Sequence, residues 1–328
     1  MSDTAITEGE APFAVSTAGK PCKTWYKVVG SLDSGTRPLV AVHGGPGTPH
    51  RYLLSLVDLY TKHGIPVVFY DQLGNGNSTH LPEKIGDAEF WTEKLFLDEL
   101  ENLLKFLGIE SDYDLLGQSW GGMLASRHAS LQPAGLKRLV LASAPASMAL
   151  FEQSTTHLRT LLPANVAQTL SEHEAAGTTQ SPEYQKAARV FYGRHVCRIK
   201  PVESIPLDVL DAFQWIEKDP TVYFTMNGPS EFHTTGTLKS WSMLDDASKI
   251  VVPTLLLNGA YDEASDATVY PFFERISGPV RWVTLSESSH TAHWEERDRF
   301  MELVAGFLKS DVSALGGRGA IQKSAHAA

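Results

Sequence analysis

The stretch Gly117-Gln118-Ser119-Trp120-Gly121-Gly122 follows an apolar run, Tyr113 to Leu116, and leads into Met123 to Ala129, which has helical character. Strand, sharp turn and helix therefore succeed one another within a few residues. A G-x-S-x-G turn in that setting holds its serine at a strained backbone position, and Gly117 and Gly121 lack the β-carbons that would clash across so tight a bend. Ser119 is expected at the carboxyl edge of a sheet, with a helix N-terminus beneath it. Taken alone the pattern is weak, because glycine and serine are common and chance matches fall in loops. What gives it meaning is an acid, a base and oxyanion donors elsewhere in a compatible order.

The rest of the chain has the rhythm such a turn needs. Lys23 to Gly30 alternates as a strand does. Pro38 to Val42, Ile65 to Tyr70, Leu136 to Ala142, Val251 to Gly259 and Val280 to Leu285 are short buried runs. Between them Arg51 to His63 and Phe90 to Leu107 have helical spacing, each closed by a glycine, and Phe300 to Leu308 is a closing helix. Alternating strands and helices predict a mostly parallel sheet flanked by helices, with functional loops at the carboxyl ends of the strands. From residue 147 to 246 the pattern changes to helices alone, with Phe151 to Leu162, Pro163 to Ala176, Pro182 to Arg194 and Leu207 to Lys218 as segments. That region is expected to be an inserted helical cap on a core formed by residues 21–146 and 247–310. Residues 1–20 are expected to be flexible, and 311–328, small and polar with three glycines, disordered.

Charge and composition narrow the function. The net charge is −10 and no Lys/Arg cluster offers a basic face, which argues against nucleic acid or an anionic membrane as partner. No window approaches the roughly 18 apolar residues of a membrane span. The first residues have neither a basic nor an apolar signal region, and Cys22 and Cys197 form no C-x-x-C pattern; a cytoplasmic protein with free thiols is expected. No cluster of His, Cys and carboxylates has metal-ligand spacing, and no dinucleotide or phosphate loop is present, so neither metal nor cofactor is expected.

Three loops complete a candidate site. His43-Gly44-Gly45-Pro46-Gly47 follows a strand directly, and a glycine loop of that kind lets a backbone N–H point into a site, so Gly45 and Trp120 are the candidate oxyanion donors. The alternative is a simple strand-to-helix turn. Asp262 and His290 each lie just past a later strand, so Ser119, Asp262 and His290 come in the chain order serine, acid, histidine. A serine hydroxyl needs a base to attack at neutral pH; His290 would take and return the proton while Asp262 orients the ring. His293 is a rival base, Glu263 a rival acid, and His43 and Asp71 are read as residues that shape their own loops.

With these residues in place, over roughly residues 38 to 308, the chain resembles the proline iminopeptidase family of α/β-hydrolase serine peptidases. The likeness rests on His43 to Gly47, Asp71-Gln72 with Gly74, Gly76 and Ser78, the Gly117 to Gly122 turn, and Gly259-Ala260-Tyr261-Asp262-Glu263. Met226 to Phe232 and Gly236-Thr237 are similar to the branch that contains the tricorn-interacting aminopeptidase. Where the common family loop has arginine after Asp-Gln, this chain has Leu73, a departure that occurs within the branch and does not touch the triad. The resemblance implies an α/β-hydrolase fold and an exopeptidase that removes an N-terminal residue, often proline, from short peptides, amides or arylamides. It also implies that Glu231 and Glu263, with Tyr223 nearby, grip the substrate's free α-amine. Paired carboxylates in a water-poor pocket would suit that cation and repel one another without it. The plain alternative is that Glu231 is a solvated cap residue and Glu263 a surface charge, with the enzyme an esterase, lactonase or amidase of a small metabolite.

Overall fold

The computed structural model describes residues 5–311 and the backbone of 322–323. Its elements are β1 (Ile6–Phe13), β2 (Cys22–Val29), β3 (Leu39–Val42), α1 (Val57–Thr61), β4 (Val67–Tyr70), α2 (Glu93–Phe106), β5 (Tyr113–Gln118), α3 (Trp120–Ser130) and β6 (Leu136–Ala142). Five helices follow: α4 (Met148–Thr160), α5 (Ala164–Ala175), α6 (Pro182–His195), α7 (Leu207–Lys218) and α8 (Thr221–Met226). The chain then returns to β7 (Thr254–Gly259), α9 (Asp266–Arg275), β8 (Val280–Leu285), α10 (Ala292–Glu295), α11 (Arg297–Lys309) and the short β9 (Gln322–Lys323).

All strands join one sheet in the order β1-β2-β4-β3-β5-β6-β7-β8-β9, antiparallel at β1–β2 and β2–β4 and parallel elsewhere. The central strands are buried along their whole length, so alternate residues feed two different cores. Val40, Val68, Leu115, Leu139 and Leu256 pack on one face. Leu39, Val67, Leu116, Val140 and Leu255 pack on the other. Continuous apolar runs are what a parallel strand covered on both faces requires. Between β6 and β7 the helical insertion has a small core of its own, built from Leu162, Leu170, Tyr184, Phe191 and Phe232.

One expectation is corrected here. Residues 1–20 were expected to be flexible, but Ile6–Phe13 is an edge strand paired residue for residue with β2, from Ile6 opposite Val29 to Phe13 opposite Cys22. Only Ala11 and Phe13 supply fully buried apolar side chains, too few to register as a period. Cross-strand pairs Glu8–Lys27 and Glu10–Lys23 do the rest, and Gly9 lies flat beneath the Tyr26 ring. The helix expected over Arg51 to His63 is also divided. A 3₁₀ segment, His50–Leu56, precedes α1, and within it the carbonyl of Tyr52 accepts from the His293 Nε2 and Trp294 Nε1 groups of a distant loop. The expectation for 311–328 falls outside the described residues apart from Asp311 and the β9 backbone.

Candidate active site

Ser119 stands between β5 and α3 with φ 56° and ψ −125°, in the left-handed region that a non-glycine residue occupies only under constraint. Its backbone N–H donates to Ala142 on the neighbouring strand, and its carbonyl accepts from Gly122 and Met123, the first turn of α3. The flanking glycines are required by contact. A Cβ on Gly117 would strike the carbonyl of Gly121, and one on Gly121 would strike the carbonyl of Val42. The serine is thus held half-buried at the head of a helix, and its hydroxyl makes no hydrogen bond among the described residues.

The glycine loop after β3 faces this turn. Gly45 has φ 104°, and neither its N–H nor that of Trp120, the first residue of α3, has an acceptor among the described residues. Gly44 N–H donates to the Tyr52 hydroxyl at 2.6 Å, which donates to Gln118 Oε1 at 2.6 Å; Gln118 Nε2 in turn donates to the carbonyl of His290 at 3.0 Å. One buried chain of bonds therefore ties the glycine loop, the residue before Ser119 and the histidine loop. Trp120 Nε1 bonds Gln72, whose amide groups bond His43.

On the far side His290 Nδ1–H donates to Asp262 Oδ1 at 2.7 Å, and Asp262 also accepts from the backbone of Ala264. Nε2, the other ring nitrogen, lies 3.8 Å from Glu263 Oε1. Glu263 is wholly buried, and neither of its carboxylate oxygens has a hydrogen-bond partner. Glu231 accepts from the Tyr223 hydroxyl at 2.7 Å. Burial raises the pKa of both glutamates, and for Glu263 the neighbouring Glu231 and Asp262 raise it further against the pull of His290. For His290 burial acts downward, yet Asp262, Glu263 and Glu231 outweigh it and lift the imidazole to about 9.

The helical insertion builds part of this site. Tyr223 of α8 packs directly on Gly47 of the glycine loop, where a side chain would collide with it. Ser154 of α4 donates to the Glu263 carbonyl, and Glu263 N–H donates to the carbonyl of His195 at the end of α6. Glu295 accepts from the backbone and hydroxyl of Ser289 and from Arg198 N–H, joining the histidine loop to the segment after α6.

The competing residues are occupied elsewhere. His293 is held against the Tyr52 carbonyl and burial pushes its pKa down to about 3. His43 lies between Gly44 O and Gln72 N–H, and burial lowers it to about 4. Asp71 accepts from Asn77 in its own loop and from the backbone and ring of His50 at the start of the 3₁₀ segment. Sequence reasoning missed Tyr52, Gln118 and Glu295, whose roles rest on partners far away in the chain. It also missed Tyr192 of α6, whose hydroxyl lies against the Glu231 backbone; burial, then Glu231, Tyr184 and Glu263, hold that phenol neutral.

Among the described residues no helix is long and apolar enough to cross a membrane, and no group of three or more His, Cys, Asp or Glu could hold a metal ion. Cys22 and Cys197 are free and buried.

A sheet of this topology, with a strained serine after β5 and an acid and histidine after β7 and β8, defines an α/β hydrolase, and residues 37–297 match the family described as alpha/beta hydrolase fold. The chain is 37% identical to a protein named proline iminopeptidase from Saccharolobus solfataricus, over 86% of this chain and 87% of that one. It is 42% identical to the crystal structure of proline iminopeptidase from Mycobacterium smegmatis, with a TM-score of 0.84, covering 94% of this chain and 99% of the other. The crystal structure of VinJ is 52% identical with a TM-score of 0.86, covering 92% and 98%. The chain belongs to the proline iminopeptidase family and is a serine-type hydrolase.

Proposed function

We propose that this enzyme is a serine aminopeptidase of proline iminopeptidase type, releasing an N-terminal proline or other small or apolar residue from short peptides or amides through an acyl-enzyme. Ser119 attacks the scissile carbonyl, His290 takes its proton and returns it to the leaving amine, and Asp262 holds the ring in the required tautomer. The N–H groups of Gly45 and Trp120 receive the oxyanion, each contributing on the order of 10²- to 10³-fold in rate. Glu263 and Glu231, with Tyr223 bonded to the latter, hold the substrate's ammonium beside the scissile bond. Residues 147–246 cap a core of 21–146 and 247–310 and close the site around that amine. The roles assigned need no cofactor, and the partner is a short peptide or small amide.

The observation that carries this reading is Glu263, buried completely with both carboxylate oxygens unpartnered. A buried carboxylate without a donor is costly, and an ammonium ligand supplies the missing donors. The names borne by relatives at 30–37% identity agree with it.

The test compares arylamine release from L-prolyl and L-alanyl arylamides with release from their N-acetylated forms, for wild type, Ser119→Ala and Glu231→Gln. Cleavage confined to free-amine substrates, none by Ser119→Ala, and a weakened amine preference in Glu231→Gln are expected. Equal or better turnover of blocked amides or simple esters would replace the aminopeptidase with an esterase or amidase of small metabolites.

A further inference from the structure

The free amine of the substrate has a second task in this geometry. We propose that the ammonium switches on the general base: by entering between Glu263 and Glu231 it takes over the carboxylate that faces His290 Nε2, and the site expels the proton held there. This rests on the aminopeptidase reading above and adds to it a reason why uncharged substrates are rejected even when they fit.

Three placements carry the inference. Nε2 is the nitrogen that has to accept the Ser119 proton, yet no hydrogen bond joins it to the Ser119 hydroxyl, and Glu263 Oε1 lies 3.8 Å away. Glu263 is walled in, with no hydrogen-bond donor on either oxygen, so among the described residues His290 is the only cationic group it faces. Glu231 adds a second carboxylate to the same space, and Asp262 a third at Nδ1. Three carboxylates around one imidazole in a water-poor pocket favour a proton on Nε2.

The other groups around the ring do not offset this. The Tyr192 and Tyr223 phenols are kept neutral by burial and the glutamates. His293 is neutral, with burial holding it to about 3, and Glu295, close enough to act on Asp262, is itself raised by burial. The lift of His290 to about 9, against its own burial, is consistent with the same placement.

The step balances. In the free site Nε2 carries a proton, opposed by Asp262 and by Glu263, which the facing imidazolium pulls toward ionisation against the burial that raises it. When R–NH₃⁺ binds, Glu263 and Glu231 become its counter-ions, Nε2 loses its proton to solvent, and the net charge of the site is unchanged. The freed lone pair on Nε2 then accepts the Ser119 hydroxyl proton as Oγ bonds to the carbonyl carbon. An ester or N-acyl amide brings no cation, leaves Nε2 protonated at neutral pH and finds no base.

The experiment has two arms. First, kcat/KM for p-nitrophenyl butyrate, which has no amine, is followed from about pH 6 to 10 in wild type and Glu263→Gln. The wild-type rate should rise with a midpoint near 9. In Glu263→Gln the midpoint should fall by about one unit or more and the rate at neutral pH rise by about tenfold, while L-prolyl-p-nitroanilide cleavage drops. An unmoved midpoint in the variant overturns the proposal. Second, binding of L-prolinamide to Ser119→Ala is measured by calorimetry in two buffers of different ionisation enthalpy. Release of about one proton per ligand is expected at neutral pH, and release of none overturns the proposal without relying on Glu263→Gln being well folded. If wild type fails to cleave L-prolyl-p-nitroanilide, the aminopeptidase reading falls. If it cleaves that substrate and either overturning result appears, only the switch falls.

Discussion

Two glutamates are wholly buried among the described residues, and they sit in opposite circumstances. Glu99, on α2, accepts from Thr24 Oγ1 at 2.5 Å and from Leu73 N–H at 2.9 and 3.0 Å with its two oxygens. It ties the strand β2 and the loop after β4 to a helix. Glu263, on the loop after β7, has backbone bonds to its neighbours but nothing on its carboxylate. Burial raises the pKa of both, to about 8 for Glu99. The difference teaches how to separate scaffold from site: a buried acid whose acceptors are filled has a structural role, and one left empty awaits a ligand.

The largest expected effect is on Glu263. Glu263→Gln should lower kcat/KM for free-amine arylamides by about 10²- to 10³-fold while its melting temperature stays level or rises, since the variant removes an unpaired buried acid. Steady-state kinetics and a thermal melt on one preparation check both; a large fall in stability would make Glu263 scaffold after all. Glu99→Ala should do the reverse, costing about 2–4 kcal/mol of stability in urea unfolding and leaving activity per folded molecule within about threefold, because Leu73 N–H and Thr24 lose their acceptor. A selective loss of activity there would erase the contrast.

Gln118→Ala should have a smaller effect that sharpens it further. Cutting the chain from Tyr52 to the His290 carbonyl should lower kcat by about tenfold with KM nearly unchanged, because the bond positions the base and does not touch substrate. A KM change alone would assign Gln118 to the binding pocket instead. The smallest effect is on pH dependence. A glutamate whose folded pKa is raised contributes stability that is complete below its unfolded value and is lost as pH rises through the folded one. Glu99 should therefore make unfolding easier by about 1 kcal/mol per pH unit as pH rises from about 4.5 toward about 8, and Glu99→Gln should flatten that slope. Stability that instead increased over that interval would show Glu99 to be ionised and content.

Legibility followed the range of the interactions involved. The turn at Ser119 could be read because much of its requirement is local: a Cβ on Gly117 would meet backbone four to five residues on, while one on Gly121 would meet Val42 on the adjoining strand. The order of Ser119, Asp262 and His290 could be read because each lies just past a run of buried residues. Strand β1 could not, since its side chains alternate over only two buried positions and its stability comes from pairing with β2. Helix α9 also escaped, with Pro271 inside it and a polar first turn masking its period.

The sequence by itself determined the fold class and the family, and it singled out the side chains proposed for the chemistry, because those readings depend on local backbone demands and on the linear order of strand-end loops. Tertiary structure alone decided which of two adjacent acids faces which nitrogen of His290, that Glu263 is buried without a partner, and that Tyr52 and Gln118 bind three loops into one site. Those are matters of distance and dielectric between residues separated by tens to hundreds of positions, and no periodicity in a chain records them.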